Sequence, residues 1–224
     1  MRIMDLPQEQ RPRERLLAFG AHTLTDAELL AIVLCTGTNG KSAIEMASDL
    51  IRRFGSLGRL LAAAPEEFKD ISGLGPAKRS LIQAVLELAR RSLKEELCDS
   101  PVLQSPQAVG RYLRLRFSGQ PYESFVAVFL DMQSRLLACE EVARGTLDRV
   151  TLYPREMIKM ALKHNAAAVI FAHNHPHGCA QPSKLDQALT KQLKQLMNSI
   201  EVSMHDHLIV TESELWSFRE NGLC

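Results

Sequence analysis

The chain has 224 residues, 46% apolar and 24% charged, an ordinary globular composition with length for one large or two small domains. Its 27 basic and 26 acidic residues divide evenly, 14 and 14 up to position 100 and 13 and 12 after it, so neither half is a basic domain built for strong non-specific nucleic-acid binding. There is no apolar run of membrane-spanning length and no signal-peptide core, and five scattered cysteines (Cys35, Cys98, Cys139, Cys179, Cys224) argue against a disulfide framework and for a reducing, cytoplasmic setting.

Residues 1–97 read as a small all-helical domain. Thr25 or Asp26 caps a helix over 27–34, which ends before Thr36-Gly37. Ser42 caps the next, with Ile44, Ala47, Leu50 and Ile51 at helical spacing. A short helix over 57–64 is closed by Pro65. In Ile71-Ser-Gly73-Leu74-Gly75-Pro-Ala-Lys78-Arg79, two glycines flank an apolar residue and allow a tight hairpin; Leu81, Val85, Leu88 and Ala89 then continue as an amphipathic helix. The segment 71–79 resembles the helix-hairpin-helix DNA-binding motif, whose turn offers backbone N–H groups to phosphate at a helix N-terminus. That resemblance implies DNA contact through Gly73, Gly75, Lys78 and Arg79. A purely structural helical connector is an equally good reading at this point.

Residues 98–106 hold two Ser-Pro pairs without periodicity and read as a linker, with Ser105 capping a helix over 106–117. The second domain, 107–224, changes to strand patterning. An apolar run over 125–130, a turn at 131–134 and a run over 135–142 predict a β-hairpin. A helix over 154–163 follows Thr151. Residues 166–172 form a buried-strand run, and a loop broken by Pro176, Gly178 and Pro182 leads to a helix from Ser183 to about Asn198. That helix is expected to place Leu185, Leu189, Leu193 and Leu196 on one face. A strand over 202–210 follows, with Trp216 and Phe218 closing the core. The order strand, strand, helix, strand, helix, strand predicts an α/β (α+β) fold too short for a TIM barrel.

The chemistry concentrates in Ala172-His-Asn-His-Pro-His-Gly-Cys-Ala-Gln-Pro-Ser-Lys-Leu-Asp186. His173 and His175 stand two apart at a strand end, so both imidazoles can converge on one point. Ser183 is a good N-cap, and Asp186 then sits at the third helical position. Two imidazoles and a carboxylate suit a catalytic zinc with a fourth position open to water. Asp186 also reads as an ordinary first-turn acid. His-Asn-His also suggests a nuclease of that name, but the further Asn and His or Cys pairs which that reading needs are missing. Cys179 lies in the loop and reads first as a solvent-side thiol and second as an extra metal ligand.

The pattern His173-x-His175-x7-Ser183-x2-Asp186 resembles the signature of JAB/MPN-type zinc metalloproteases, the JAMM motif. The longer string resembles the bacterial RadC branch, the UPF0758-type proteins. Gly145-Thr146, Tyr153-Pro-Arg-Glu156, Asn165-Ala-Ala-Ala168, Asp206-His207 and Ser217-Phe218 also match that family's pattern. So do Pro12-Arg-Glu-Arg-Leu16, Leu24-Thr-Asp-Ala-Glu-Leu-Leu30 and Thr36-Gly37. His177 departs from it, standing where the family usually carries Ser. The resemblance implies a three-layer α/β domain of the cytidine-deaminase-like kind and one Zn2+ per chain on His173, His175 and Asp186. It implies hydrolysis of peptide or isopeptide bonds in a peptide or protein substrate, with a zinc-held water as nucleophile and Ser183 as oxyanion donor. The family's acid/base Glu begins a strand ahead of the zinc loop. Glu123 fits that place best, Glu140 next, and Glu141 is the third candidate. Asp206 either orients His173 or His175 as an outer carboxylate or, with His207, forms a surface pair or a structural hydrogen bond. A DNA repair or recombination accessory, binding through the helical domain, is the alternative function.

Overall fold

A computed structural model describes residues 3–38, 40–99, 101–102, 106–145, 153–176, 179–211 and 213–224. The expected cap Ser105, together with Thr146, Thr151, His177 and Gly178, lies outside them. The chain divides into two compact units, Met1–Ala89 and Arg90–Cys224. This division falls within a helix, α5, whose bounds are Pro76–Asp99.

The first unit is helical: α1 (Pro12–Phe19), α2 (Asp26–Leu34), α3 (Ala43–Phe54), α4 (Leu57–Ala62) and the start of α5. Thr25 and Ser42 are the N-caps of α2 and α3, each in a reciprocal capping box with the Glu three residues on. Leu30, Leu34, Met46, Leu50, Leu60, Phe68, Leu74 and Ile82 form its core. In α5 the inward residues are Ile82 and Leu86; Leu81, Val85 and Leu88 are 41%, 37% and 66% exposed. Two apolar stripes run side by side on this helix, and periodicity alone could not say which one the core would take.

The second unit is a five-stranded sheet, with strands β1 (Ser124–Leu130), β2 (Leu136–Arg144), β3 (Ala168–Asn174), β4 (Ser203–Val210) and β5 (Leu215–Ser217). Their order is β2-β1-β3-β4-β5. Only the β3–β4 pair is parallel. That pair is joined through a helix, α8 (Lys184–Asn198), as a parallel crossover requires.

On one face Val126, Val128, Leu130, Ile170 and Ala172 pack with Leu97 of α5 and with Val109, Leu113 and Phe117 of α6 (Pro106–Phe117). On the other, Phe125, Phe129, Val169 and Phe171 meet Met157 and Ala161 of α7 (Pro154–Lys163) and Leu193 and Met197 of α8. Helices on both faces bury every residue of β1 and β3, which is why those strands read as unbroken apolar runs. The helix–sheet–helix layering matches the expected α/β class. β5 is an addition: it is only three residues long and carries no alternating pattern of its own.

The expected apolar face of α8 is corrected. Its buried residues are Asp186, Thr190, Leu193 and Met197, while Leu185 is 55% exposed. Two polar side chains take the inner end of that stripe. Among the described residues, no helix is long and apolar enough to cross a membrane.

Candidate metal centre

β3 carries the first candidate ligand, His173, near its C-terminal end. His173 lies opposite Phe125 of β1, and the two rings stack at 5.9 Å. Beyond the strand end, the His175 N–H still donates to the Val210 carbonyl at 3.0 Å, so the extended backbone runs one residue further along β4. His175 therefore returns to the side of His173, and the two Nε2 atoms approach to 3.1 Å. His175 Nδ1 is 2.9 Å from the Cys179 carbonyl oxygen. A carbonyl only accepts, so Nδ1 carries a proton and donates it, the tautomer whose lone pair is at Nε2.

Asp186 arrives from the first turn of α8. Ser183 is the N-cap, and its Oγ accepts from the Asp186 N–H at 3.1 Å. In return Asp186 Oδ2 accepts from the Ser183 N–H at 2.8 Å and the Ser183 hydroxyl at 2.7 Å. With Oδ2 thus held, Oδ1 is turned inward. Among the described residues it is buried without a hydrogen-bond partner, 3.3 Å from His173 Nε2. The three atoms lie within 4.8 Å of one another.

Burial holds His173 down, to a pKa of about 4, against the opposing pull of Asp186. Near neutral pH the buried ring is therefore uncharged and does not supply the cation that Asp186 lacks. An unpartnered buried carboxylate oxygen is costly. Two imidazole nitrogens and a carboxylate oxygen facing one another are a donor set that fits zinc with an open position.

The other expected residues fall as follows. Ser183, expected to donate to an oxyanion, spends its single hydroxyl proton on Asp186 Oδ2. Glu123 sits just before β1, its carbonyl accepting from the Gly145 N–H at 2.8 Å. Glu140 is paired with His164 at 2.6 Å and Lys163 at 3.2 Å, and the His164 bond leads in holding its carboxyl below the ordinary value. Glu141 lies opposite Val126 and binds Arg144 and the Ser124 hydroxyl.

Asp206 does not touch the ligands. It pairs with Ile170 on the far side of the sheet, and its carboxylate accepts from the Ser217 hydroxyl and from the N–H groups of Arg219 and His207. A register shift between Val169 and Ile170 brings His207 to the ligand face, opposite Phe171. His207 is fully buried, and its Nε2 is 2.9 Å from His173 Nδ1. Thr190 stands behind it, 2.7 Å from His207 Nδ1. Neither contact was expected. The i, i+4 spacing of Asp186 and Thr190 on α8 is the one signal that could have shown Thr190.

In the first unit, Gly73 has φ +80°, and a Cβ there would fall 1.6 Å from Thr38 Cγ2, so both the turn and its packing demand glycine. Lys78 donates to the Gly37 carbonyl at 2.9 Å and is engaged inside its unit. Arg79 Nε is buried without a partner, and a Cβ on Gly75 would meet nothing within 4 Å.

Comparison with known proteins gives a match to the RadC-like JAB domain over residues 103–223 and to the UPF0758 N-terminal family over residues 3–80. The chain is 54% identical to a UPF0758 protein of Herminiimonas arsenicoxydans and 53% identical to one of Janthinobacterium sp. (strain Marseille), in each case over 99% of both chains. It is 52% identical to a UPF0758 protein of Nitrosomonas eutropha over 100% of both. The His-His-Asp set, with His173 and Asp186 buried and His175 half-buried, thus lies within the matched JAB domain, and the chain belongs to the RadC family of UPF0758 proteins.

Proposed function

We propose that the protein is a metallohydrolase of amide bonds, peptide or isopeptide, in a peptide or protein substrate, with one Zn2+ per chain held by His173, His175 and Asp186. The observation that carries this is the convergence of two imidazole nitrogens on a buried carboxylate oxygen that has no hydrogen-bond partner among the described residues. Membership of a JAB-domain family supports it.

When bound, zinc would supply a water of lowered pKa and a Lewis acid for the substrate carbonyl. Glu123 takes a proton from the attacking water and passes it to the leaving amine nitrogen as the C–N bond breaks. Its place in the chain supports that role: Glu123 directly precedes β1, and extending the strand's two-residue alternation by one position would put it on the face of Phe125, which His173 shares. Glu140 is engaged with His164 and Lys163, and Glu141 lies opposite a residue of the other face. Ser183 orients Asp186 and, by turning its hydroxyl from Oδ2, donates to the developing oxyanion.

The test is cleavage of peptide and isopeptide libraries by zinc-loaded protein, with Glu123→Gln alongside. The proposal expects zinc to persist in the variant while cleavage falls by roughly two to four orders of magnitude. Zinc-loaded wild type that cleaves neither library would count against it.

DNA association through the hairpin is the second reading. It is supported by the open space at Gly75, where a phosphate could approach the backbone.

A further inference from the structure

The unexpected pair behind the metal ligands forms a closed circuit. Thr190 Oγ1 lies 2.6 Å from the Asp186 carbonyl oxygen and 2.7 Å from His207 Nδ1. His207 Nε2 lies 2.9 Å from His173 Nδ1, and His173 Nε2 faces Asp186 Oδ1 at 3.3 Å. Chain of contacts and helix therefore begin and end on one residue: Asp186 gives its carbonyl to one end and its carboxylate to the other. All four residues are 1% exposed or less.

Proton counting fixes the direction of each bond. The Asp186 carbonyl can only accept, so the Thr190 hydroxyl spends its proton there. The Thr190 oxygen is then left to accept, and His207 must carry a proton on Nδ1. Among the described residues no carboxylate hydrogen-bonds the buried His207 ring; its contacts are His173, Thr190 and the rings of Phe125 and Phe218. A charge there would be costly, so the ring has one N–H and its Nε2 accepts. That acceptor requires a proton on His173 Nδ1, which leaves the His173 Nε2 lone pair bare. Phe218 stacks on His207 at 4.7 Å with 10° between planes, and Phe125 meets it edge-on, so the ring is clamped in the orientation the circuit needs.

We propose that Thr190 and His207 are positioning residues: through this directed relay they set the tautomer of His173, so that its Nε2 lone pair faces the Asp186 carboxylate and awaits a divalent cation before one binds. This rests on the metal-centre reading, but the tautomer belongs to the metal-free chain and is measured without the metal. Asp186 and Thr190 share a helix face, so α8 supplies both a ligand and the start of the relay that prepares a second ligand on β3.

The experiment uses full-length metal-free protein near neutral pH. Histidine-ring proton–nitrogen correlation spectra, assigned with His173→Gln and His207→Gln, report which nitrogen carries the proton. The relay requires Nδ1–H with unprotonated Nε2 in both His173 and His207. A proton on His173 Nε2, or a doubly protonated His207, overturns it.

Zn2+ affinity by chelator competition gives the second readout. In His207→Gln the amide can accept from His173 and donate to Thr190, so affinity should stay near wild type. His207→Phe keeps a ring without nitrogens and should bind about 10–100-fold more weakly, the usual cost of losing such a partner. Thr190→Val should shift in the same direction. Equal losses in the Gln and Phe variants would show that ring shape matters rather than proton direction, and would overturn the proposal. Should the Phe variant not fold, the wild-type spectra and the Gln and Val variants decide. Expected tautomers without Zn2+ binding by wild type would sink the metal reading and leave the tautomer assignment standing.

Discussion

The starts of α3 and α8 use the same local device for different ends. Both begin with Ser in a reciprocal capping box. At α3 the partner is Glu45, an exposed side chain whose Oε2 accepts from the Ser42 N–H at 2.7 Å. At α8 it is Asp186, 1% exposed, with one oxygen held by Ser183 and the other unsatisfied. At α3 the box starts a helix with its acid on the surface. Asp186 starts a helix too, but at the cost of a buried orphan oxygen that helix initiation does not call for. A local rule satisfied in both places, with an added penalty in only one, points to function at the second.

The largest expected difference is in metal binding. Asp186→Asn puts an amide where a carboxylate faced two imidazole nitrogens and should abolish stoichiometric zinc. Glu45→Gln should leave zinc content unchanged. Zinc retained by Asp186→Asn would erase the contrast between the two boxes.

Stability should move the opposite way. Glu45→Ala loses the capping-box partner of Ser42 and should lower the midpoint of denaturant unfolding. Metal-free Asp186→Asn keeps an acceptor for Ser183 and loses the unpartnered charge, so it should be at least as stable as metal-free wild type. A clear destabilisation would mean that the Asp186 carboxylate serves the fold.

The second unit should also respond to acid in a way the first does not. Burial lowers both His173 and His207 below their ordinary value of 6.5, His173 to about 4. Between those values the unfolded chain binds protons that the folded chain refuses, so stability is full above pH 6.5 and declines as pH falls towards 4. Thermal unfolding of the metal-free protein should show that decline, and His207→Gln should flatten it. An unchanged slope in that variant would remove His207 as its source.

The smallest effect concerns the hairpin. Binding of DNA by Gly73–Gly75 should weaken steeply with salt. Because Lys78 is engaged with Gly37, Arg79→Glu should weaken it more than Lys78→Glu. Equal binding by wild type and the double variant at low salt would reject the hairpin as the contact.

What could be read from the chain follows from how local each feature is. Thr25, Ser42 and Ser183 declare their helices because a cap is a three-residue event. The apolar runs of β1 and β3 declare burial on both faces. The cluster of His173, His175 and Asp186 was legible because two of its residues share a strand end and the third sits on the next helix.

Other features needed tertiary detail. The inner stripe of α8 trades Leu185 for Asp186 and Thr190, since hydrophobic periodicity gives no weight to a buried polar residue with a partner. His207 was hidden by a register shift that reverses which of two adjacent residues faces the ligands. Asp206 looked the better partner by chemistry alone, and the pleat sent it to Ser217 instead.

The most direct test of the central claim is the zinc content of the purified full-length protein by elemental analysis, beside His173→Ala/His175→Ala. The account predicts about one zinc per chain in wild type, as a three-ligand site holds, and almost none in the double variant. Stoichiometric zinc in the double variant, or none in zinc-supplemented wild type, would contradict it.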